Sequence, residues 1–162
     1  MKKKLYCPKC QKEREFEIRE ENESYPVRNE TIRIIAKITY CKHCGEQIWN
    51  DQLDDENLKT AYRKFRMSHS LLQPEEIKKI RQEYALSQTD FGRILGLGDK
   101  TIARYENGSI QDQAPNNLIM LAGYPDCFEL LLIKNRDSIS SGAYIKAMEK
   151  LSRRKVGKVC NG

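Results

Sequence analysis

The sequence predicts an α+β chain: a small β-rich N-terminal block, then an all-α block of five helices, then an extra C-terminal helical tail. Two observations predict it. Two C-x-x-C pairs, Cys7-Pro8-Lys9-Cys10 and Cys41-Lys42-His43-Cys44, bracket a stretch of alternating apolar residues. From about Asp51 onward the apolar period lengthens from two to between three and four, the spacing of a helix face. A chain of 162 residues has room for two small domains. The expected boundaries are 1–67, 68–135 and 136–162.

In the first block, Arg14–Arg19 reads as a short strand with Phe16 and Ile18 two apart. Thr31–Tyr40 is a clearer one, with Ile32, Ile34, Ala36, Ile38 and Tyr40 on one face. Glu46–Trp49 reads as a further short strand. The acidic stretch Glu20–Glu23, followed by Ser24, reads as a solvated loop between strands. A helix then follows, capped by Asn50 or Asp51 and ending near Met67, with Leu58, Tyr62 and Phe65 on one face. Ser68-His69-Ser70 reads as a linker.

The second block opens with Pro74-Glu75-Glu76, a proline and two acids suited to a first helical turn, with Ile77, Ile80 and Tyr84 as its apolar face. Ser87 is placed to cap a helix Gln88–Leu95, with Phe91, Ile94 and Leu95 facing inward. Gly96-Leu97-Gly98 makes a tight turn, and Asp99 is placed to cap a helix Lys100–Glu106 that ends at Asn107-Gly108. Further short helices run to Asn135. Ser138–Lys155 fits one more, striped by Tyr144, Ile145, Met148 and Leu151, with disorder expected beyond Gly157.

Charge is unevenly spread. The net is +6, from 29 Lys+Arg and 23 Asp+Glu. Residues 1–66 carry +3, residues 67–135 carry −2 and residues 136–162 carry +5. A basic chain suits a polyanion only weakly, and the middle block is slightly acidic. Nucleic-acid contact there must come from the placement of particular side chains. The basic tail reads either as a phosphate clamp or as a packed extra helix. No run approaches the ~18 apolar residues of a membrane span, and no signal-peptide core follows the basic N-terminus. A cytoplasmic protein is expected, where stable disulfides are rare.

In that setting the four cysteines Cys7, Cys10, Cys41 and Cys44 point to one tetrathiolate zinc site with a single structural ion. Each pair forms a knuckle aiming two thiolates at one metal, and Gly45 allows the turn after the second pair. The 30-residue spacer exceeds the ~15–20 of common zinc ribbons, so the intervening strands must run out and return. Two disulfides are disfavoured by compartment. A redox C-x-x-C stands alone at a βα junction, and a catalytic zinc needs an open position that four thiolates close. His43 lies inside a knuckle but is read as solvated, like His69. Cys127 reads as a small buried hydrophobe and Cys160 as part of a loose tail.

The helix pair Gln88–Leu95 and Lys100–Glu106 has the layout of a helix-turn-helix, whose second helix enters the major groove of double-stranded DNA. Lys100 and Arg104 lie four apart, hence on one face, with Thr101 beside them. Each can donate to guanine O6 and N7. Gln88 and Thr89, at the start of the preceding helix, are placed for phosphate contacts. The plainer reading is a solvated face beside Glu106.

The segments Ser87-Gln88-Thr89-x-Phe91-Gly92 and Ile102-Ala103-Arg104-Tyr105-Glu106-Asn107-Gly108 resemble the Cro/repressor-type helix-turn-helix family. With the two N-terminal knuckles, the layout over roughly residues 5–133 resembles the MqsA-type antitoxin family, or YgiT-type zinc-finger proteins. Tyr62-Arg63-Lys64-Phe65-Arg66, leading to Pro74-Glu75-Glu76-Ile77, fits the same pattern. The resemblance implies a homodimer held through the helical domain, an N-terminal domain that docks on a protein toxin, and repression of the protein's own operon at a palindromic operator. It also implies base contacts from an asparagine and an arginine four apart. Arg104 matches the arginine. Lys100 stands in place of the asparagine, which shifts the favoured base from adenine to guanine. Gly92 replaces the family's usual alanine, a helix penalty of about 1 kcal/mol.

The function expected is therefore a sequence-specific transcriptional repressor serving as the antitoxin of a type II toxin-antitoxin system. The alternative is a stand-alone or phage-type regulator of the same architecture with no toxin partner. No P-loop or Ser/His/Asp set with supporting context is present, and an enzyme is not expected. The toxin-facing surface is read as either an exposed edge of Thr31–Tyr40, open to β-augmentation, or nothing more than an outer sheet face.

Overall fold

The computed structural model describes residues 4–159, with side chains as far as residue 155. The chain divides into two compact units, Met1–Ser68 and His69–Gly162.

The first unit is a four-stranded antiparallel sheet in the order β1-β2-β3-β4, with one helix. The strands are β1 (Lys4–Cys7), β2 (Lys12–Val27), β3 (Glu30–Cys41) and β4 (Gln47–Ile48). Helix α1 (Asp51–Ser68) packs along β3. β3 buries Ile32, Ile34, Ala36 and Ile38 in strict alternation. Its partner β2 runs unbroken for 16 residues, from Lys12↔Cys7 on one side to Val27↔Glu30 on the other. The acidic stretch expected to be a loop is thus mid-strand. Glu20, Asn22 and Ser24 project to solvent from the hairpin, so their polarity is no obstacle to pairing with an apolar β3. The chain reverses at Arg28, which takes a left-handed conformation (φ 54°).

Helix α1 buries Leu53, Asn57, Ala61 and Phe65, a strict i+4 series, and leaves Leu58 exposed, contrary to the face expected. The reason is Asn57. Its carboxamide accepts from the Lys37 N–H (2.9 Å) and donates to the Lys37 carbonyl (3.0 Å), as a neighbouring strand would. Lys64 Nζ donates to the Arg33 carbonyl (2.7 Å) on the same strand. Together with β4, which pairs Thr39 and Tyr40, these contacts close much of the β3 edge that the sequence offered for augmentation. Asn50 Oδ1 accepts from the Leu53 N–H and caps α1.

The second unit contains α2 (Pro74–Glu83), α3 (Gln88–Ile94), α4 (Thr101–Glu106), α5 (Gln113–Ala122), α6 (Pro125–Lys134), a 3₁₀ turn at Arg136–Ser138 and α7 (Ser141–Val159). Ile77, Tyr84, Phe91, Ile94, Ile102, Ile119, Phe128 and Leu132 form one core. The Tyr84 ring stacks on Phe128 at 3.8 Å, and its hydroxyl donates to the Ala122 carbonyl (2.7 Å). A buried amide relay joins α5 to the start of α2: Gln111 donates to the Leu72 carbonyl, and Asn116 accepts from the Leu72 N–H.

The tail is part of this core. Ala147 and Leu151 of α7 are buried in it, with Tyr144 and Met148 at its margin, while Ile145 is exposed. Arg154 pairs with Glu83 (2.7 Å), lies over the Tyr84 ring and donates to the Gly123 carbonyl. Lys155 pairs with Asp126 and Glu129. Two of the tail's cations are therefore engaged inside the unit, which favours the packed-helix alternative over the clamp. α7 continues to Val159, past the Gly157 where disorder was expected. Cys160 lies outside the described residues.

Candidate metal centre and nucleic-acid interface

The four cysteines meet because the β2–β3 hairpin carries the chain out and back. β1 ends at Cys7 and β3 ends at Cys41, both on β2, through Cys7↔Lys12 and Phe16↔Cys41. The long spacer is the hairpin itself. Each strand end then turns tightly to supply its second cysteine. Gln11 (φ 52°) follows Cys10, and Gly45 (φ 73°) follows Cys44 in a conformation suited to glycine. Gly45 N–H donates to the Cys41 carbonyl and Cys41 N–H to the Glu46 carbonyl, closing the second knuckle.

The Sγ atoms of Cys7, Cys10, Cys41 and Cys44 all lie within 4.8 Å of one another, with Cys7 to Cys44 at 3.5 Å. A tetrahedron of ~2.3 Å metal–sulfur bonds has edges of about 3.8 Å, so the cluster is the right size for one ion. It is far too open for disulfides at ~2.05 Å, and the cysteines are free. Cys7 and Cys41 are buried among Leu5, Phe16 and Ile48. His43 is exposed and Cys127 half-buried, and neither joins the cluster.

The electrostatics fit a bound cation. At Cys41, burial raises the thiol, but the N–H groups of Cys44 and His43 and the neighbouring thiols outweigh it and bring it down to about 7. At Cys44 the Glu46 N–H favours the thiolate, yet burial and the three surrounding cysteines push it up to about 12. One thiolate forms readily and the last only against strong repulsion, a conflict that a divalent ion removes. Four sulfurs also complete a tetrahedron, which leaves no open position for a reacting water.

In the second unit, the α3 N-terminus is capped as expected, with Ser87 Oγ accepting from the Asp90 N–H (3.0 Å). α4 differs. Asp99 does not cap it; its carboxylate accepts both Arg93 bonds at 2.9 Å, and Lys100 occupies the N-cap position, with α4 beginning at Thr101. An acid six residues after an arginine, across a glycine turn, finds a bidentate partner closer than the helix end.

Two contacts had no signal in the local pattern. Arg81 of α2 grips Glu106 at the end of α4 through Nε–Oε1 (2.6 Å) and Nη2–Oε2 (2.8 Å), and Gln88 Nε2 donates to the same Oε2 (2.7 Å). Burial raises the Glu106 carboxyl, but Arg81 and Gln88 outweigh it and hold it below its ordinary value. Gln88 thus points inward, tying α3 to α4. Glu106 is turned away from solvent and leaves Arg104 unneutralised. Lys100 at the N-cap of α4 and Arg104 on α4 are both exposed, with no ion-pair partner among the described residues, while Thr101 and Thr89 are half-buried.

Among the described residues, no helix is long and apolar enough to cross a membrane. Comparison with known proteins agrees with this architecture. The family described as "Antitoxin component of bacterial toxin-antitoxin system, MqsA" matches residues 5–131. A curated relative, "Antitoxin MqsA" of Escherichia coli (strain K12), is 35% identical over 74 residues, covering 44% of this chain and 56% of the relative. The chain thus aligns with little more than half the length of that relative. The family match spans both the cysteine cluster and the helix-turn-helix pair, and the chain belongs to the MqsA antitoxin family.

Proposed function

We propose that this chain is a DNA-binding repressor that acts as the antitoxin of a toxin-antitoxin pair, with a structural zinc ion in its N-terminal unit. The observation that carries the DNA reading is the pair of cations without an ion-pair partner among the described residues, Lys100 at the N-cap of α4 and Arg104 on α4 itself, a helix locked to its neighbours by the Arg81–Glu106–Gln88 contacts. A fixed helix presenting two free donors four residues apart suits guanine edges in the major groove. Thr101 and Thr89, with the first N–H groups of α3, would hold phosphates. Gln88 would set the angle between α3 and α4.

Zinc, when bound, supplies Lewis-acidic cross-linking of the two knuckles. Cys7, Cys10, Cys41 and Cys44 would hold it, fixing the strand ends that the small core around Ile48 cannot hold alone. Homodimerisation through the helical unit is supported by exposed apolar side chains on α5 and α6, namely Met120, Leu121, Leu130 and Ile133, together with Tyr124 between them. A two-fold dimer would read a palindromic operator. A footprint of the purified chain on its own promoter, together with co-purification of the neighbouring gene's product, tests both halves. A footprint without a protein partner would leave a stand-alone regulator, and the absence of both footprint and partner would refute the proposal.

A further inference from the structure

Pairing along β2 is one-sided. Among the described residues β1 covers only Lys12–Glu15, and from Phe16 to Val27 β2 is paired to β3 alone. The direction of its free peptide groups follows from the other side of the hairpin. Asn57 takes both the N–H and the carbonyl of Lys37, so odd-numbered residues of β3 turn their peptide groups away from β2. The register then directs the even-numbered peptides of β2, those of Ile18, Glu20, Asn22 and Ser24, outward. Pro26 belongs to the same outward set, where a missing N–H costs no ladder bond. The opposite edge of the sheet is taken up by β4, Asn57 and Lys64, so among the described residues the open edge is that of β2.

This edge has a sign. Residues 17–24 carry Glu17, Glu20, Glu21 and Glu23 against Arg19, which is paired with Glu17 at 2.5 Å. Two copies joined through this edge would bring acid against acid, which disfavours self-pairing. A basic strand meets the opposite charge. Ile18 (50% exposed) and Ile35 (66% exposed, opposite Asn22) add apolar contact on the outer face of the sheet. We propose that the outer edge of β2 from Ile18 to Ser24 is a docking site for a basic edge strand of a protein partner, which extends the sheet by β-augmentation. The partner's identity as the toxin rests on the antitoxin reading above.

The test is amide hydrogen exchange on the full chain, alone and with the purified product of the neighbouring gene. The N–H groups of Ile18, Glu20, Asn22 and Ser24 should gain roughly tenfold or more protection in the complex, while their inward-facing neighbours change little. Glu20→Lys, at an exposed position, should weaken binding by about tenfold, as a reversed charge against a basic strand requires. Asn22→Pro, which removes one outward N–H, should weaken it further. A complex that leaves those four amides unprotected overturns this inference while the antitoxin reading stands. Absence of any complex overturns the antitoxin reading and this inference with it. Protection that appears in the chain alone and grows with its concentration overturns it in favour of a second copy.

Discussion

Arg81 and Glu106 lie 25 residues apart and meet as a bidentate pair with side chains only 12% and 4% exposed. Gln88 adds a third donor to the same carboxylate, so one acid fastens α2, α3 and α4 together. Removing Arg81 leaves a buried charge without its main partner. Arg81→Ala should cost about 3–5 kcal/mol, read as a lower denaturation midpoint of the helical unit. An effect within experimental error would mean that the pair carries no weight in the fold.

The same pair sets an acid limit. The Glu106 carboxyl is held below its ordinary value of 4.5, against the effect of burial, by Arg81 and then Gln88. A depressed carboxylate stabilises the fold above 4.5, and that contribution disappears as pH falls through the lower folded-state value. The difference in melting temperature between the native chain and Glu106→Gln should be largest near neutrality and shrink below 4.5. A difference that stays constant across that range would contradict the assignment.

Gly92 sits inside α3, and a methyl group there would meet the Gly98 carbonyl and Ile102 Cγ1 at 3.5 Å, ordinary contact distances. The position therefore has room for the family's alanine. Gly92→Ala should stabilise the chain by about 0.5–1 kcal/mol, through helix propensity and a less flexible unfolded state. Destabilisation would show that the α3–α4 turn is packed more tightly than these distances indicate.

Metal removal separates the two units. Chelation, or Cys41→Ser, should unfold the sheet around Cys7, Phe16 and Ile48 while leaving the helical core intact. Circular dichroism should then show loss of strand signal with helix retained. Elemental analysis should find about one zinc per chain. A sheet indifferent to chelator would argue against a structural ion.

Leu151 of α7 is 1% exposed within the helical core. Leu151→Ala should cost about 2–5 kcal/mol. If the tail is a packed helix, the salt dependence of DNA binding should not change in the folded variant. A shallower salt slope would return the tail to the role of phosphate clamp.

Some of this was readable from the sequence and some was not, for physical reasons. The cysteine spacing announces the cluster because each C-x-x-C turn aims two thiolates at one point, and two such turns supply the four ligands of a tetrahedral ion. The alternation of Ile32, Ile34, Ala36 and Ile38 announced β3 because one face of it is buried. Of β2 only Arg14–Arg19 is legible, through Phe16 and Ile18; the acidic part from Glu20 to Ser24 is not, because an edge strand with a wet face needs no apolar pattern of its own. The buried face of α1 departs from the apolar pattern because Asn57, a polar residue, occupies it to satisfy a strand edge, while the apolar Leu58 lies on the exposed side. Ser87 was legible as a cap because capping is local. The engagement of Asp99 with Arg93 and of Glu106 with Arg81 was not, since those partners are brought close only by the tertiary fold.

DNA reading by Arg104, with Lys100 beside it, can be measured most directly by fluorescence anisotropy titration of the chain's own promoter fragment at fixed salt, comparing the native chain with Arg104→Ala. Arg104 is exposed and has no ion-pair partner among the described residues, so the variant should fold normally and lose about 1–3 kcal/mol of specific binding, while binding to unrelated DNA changes little. Equal affinity of the two proteins for the promoter would rule out base reading by Arg104.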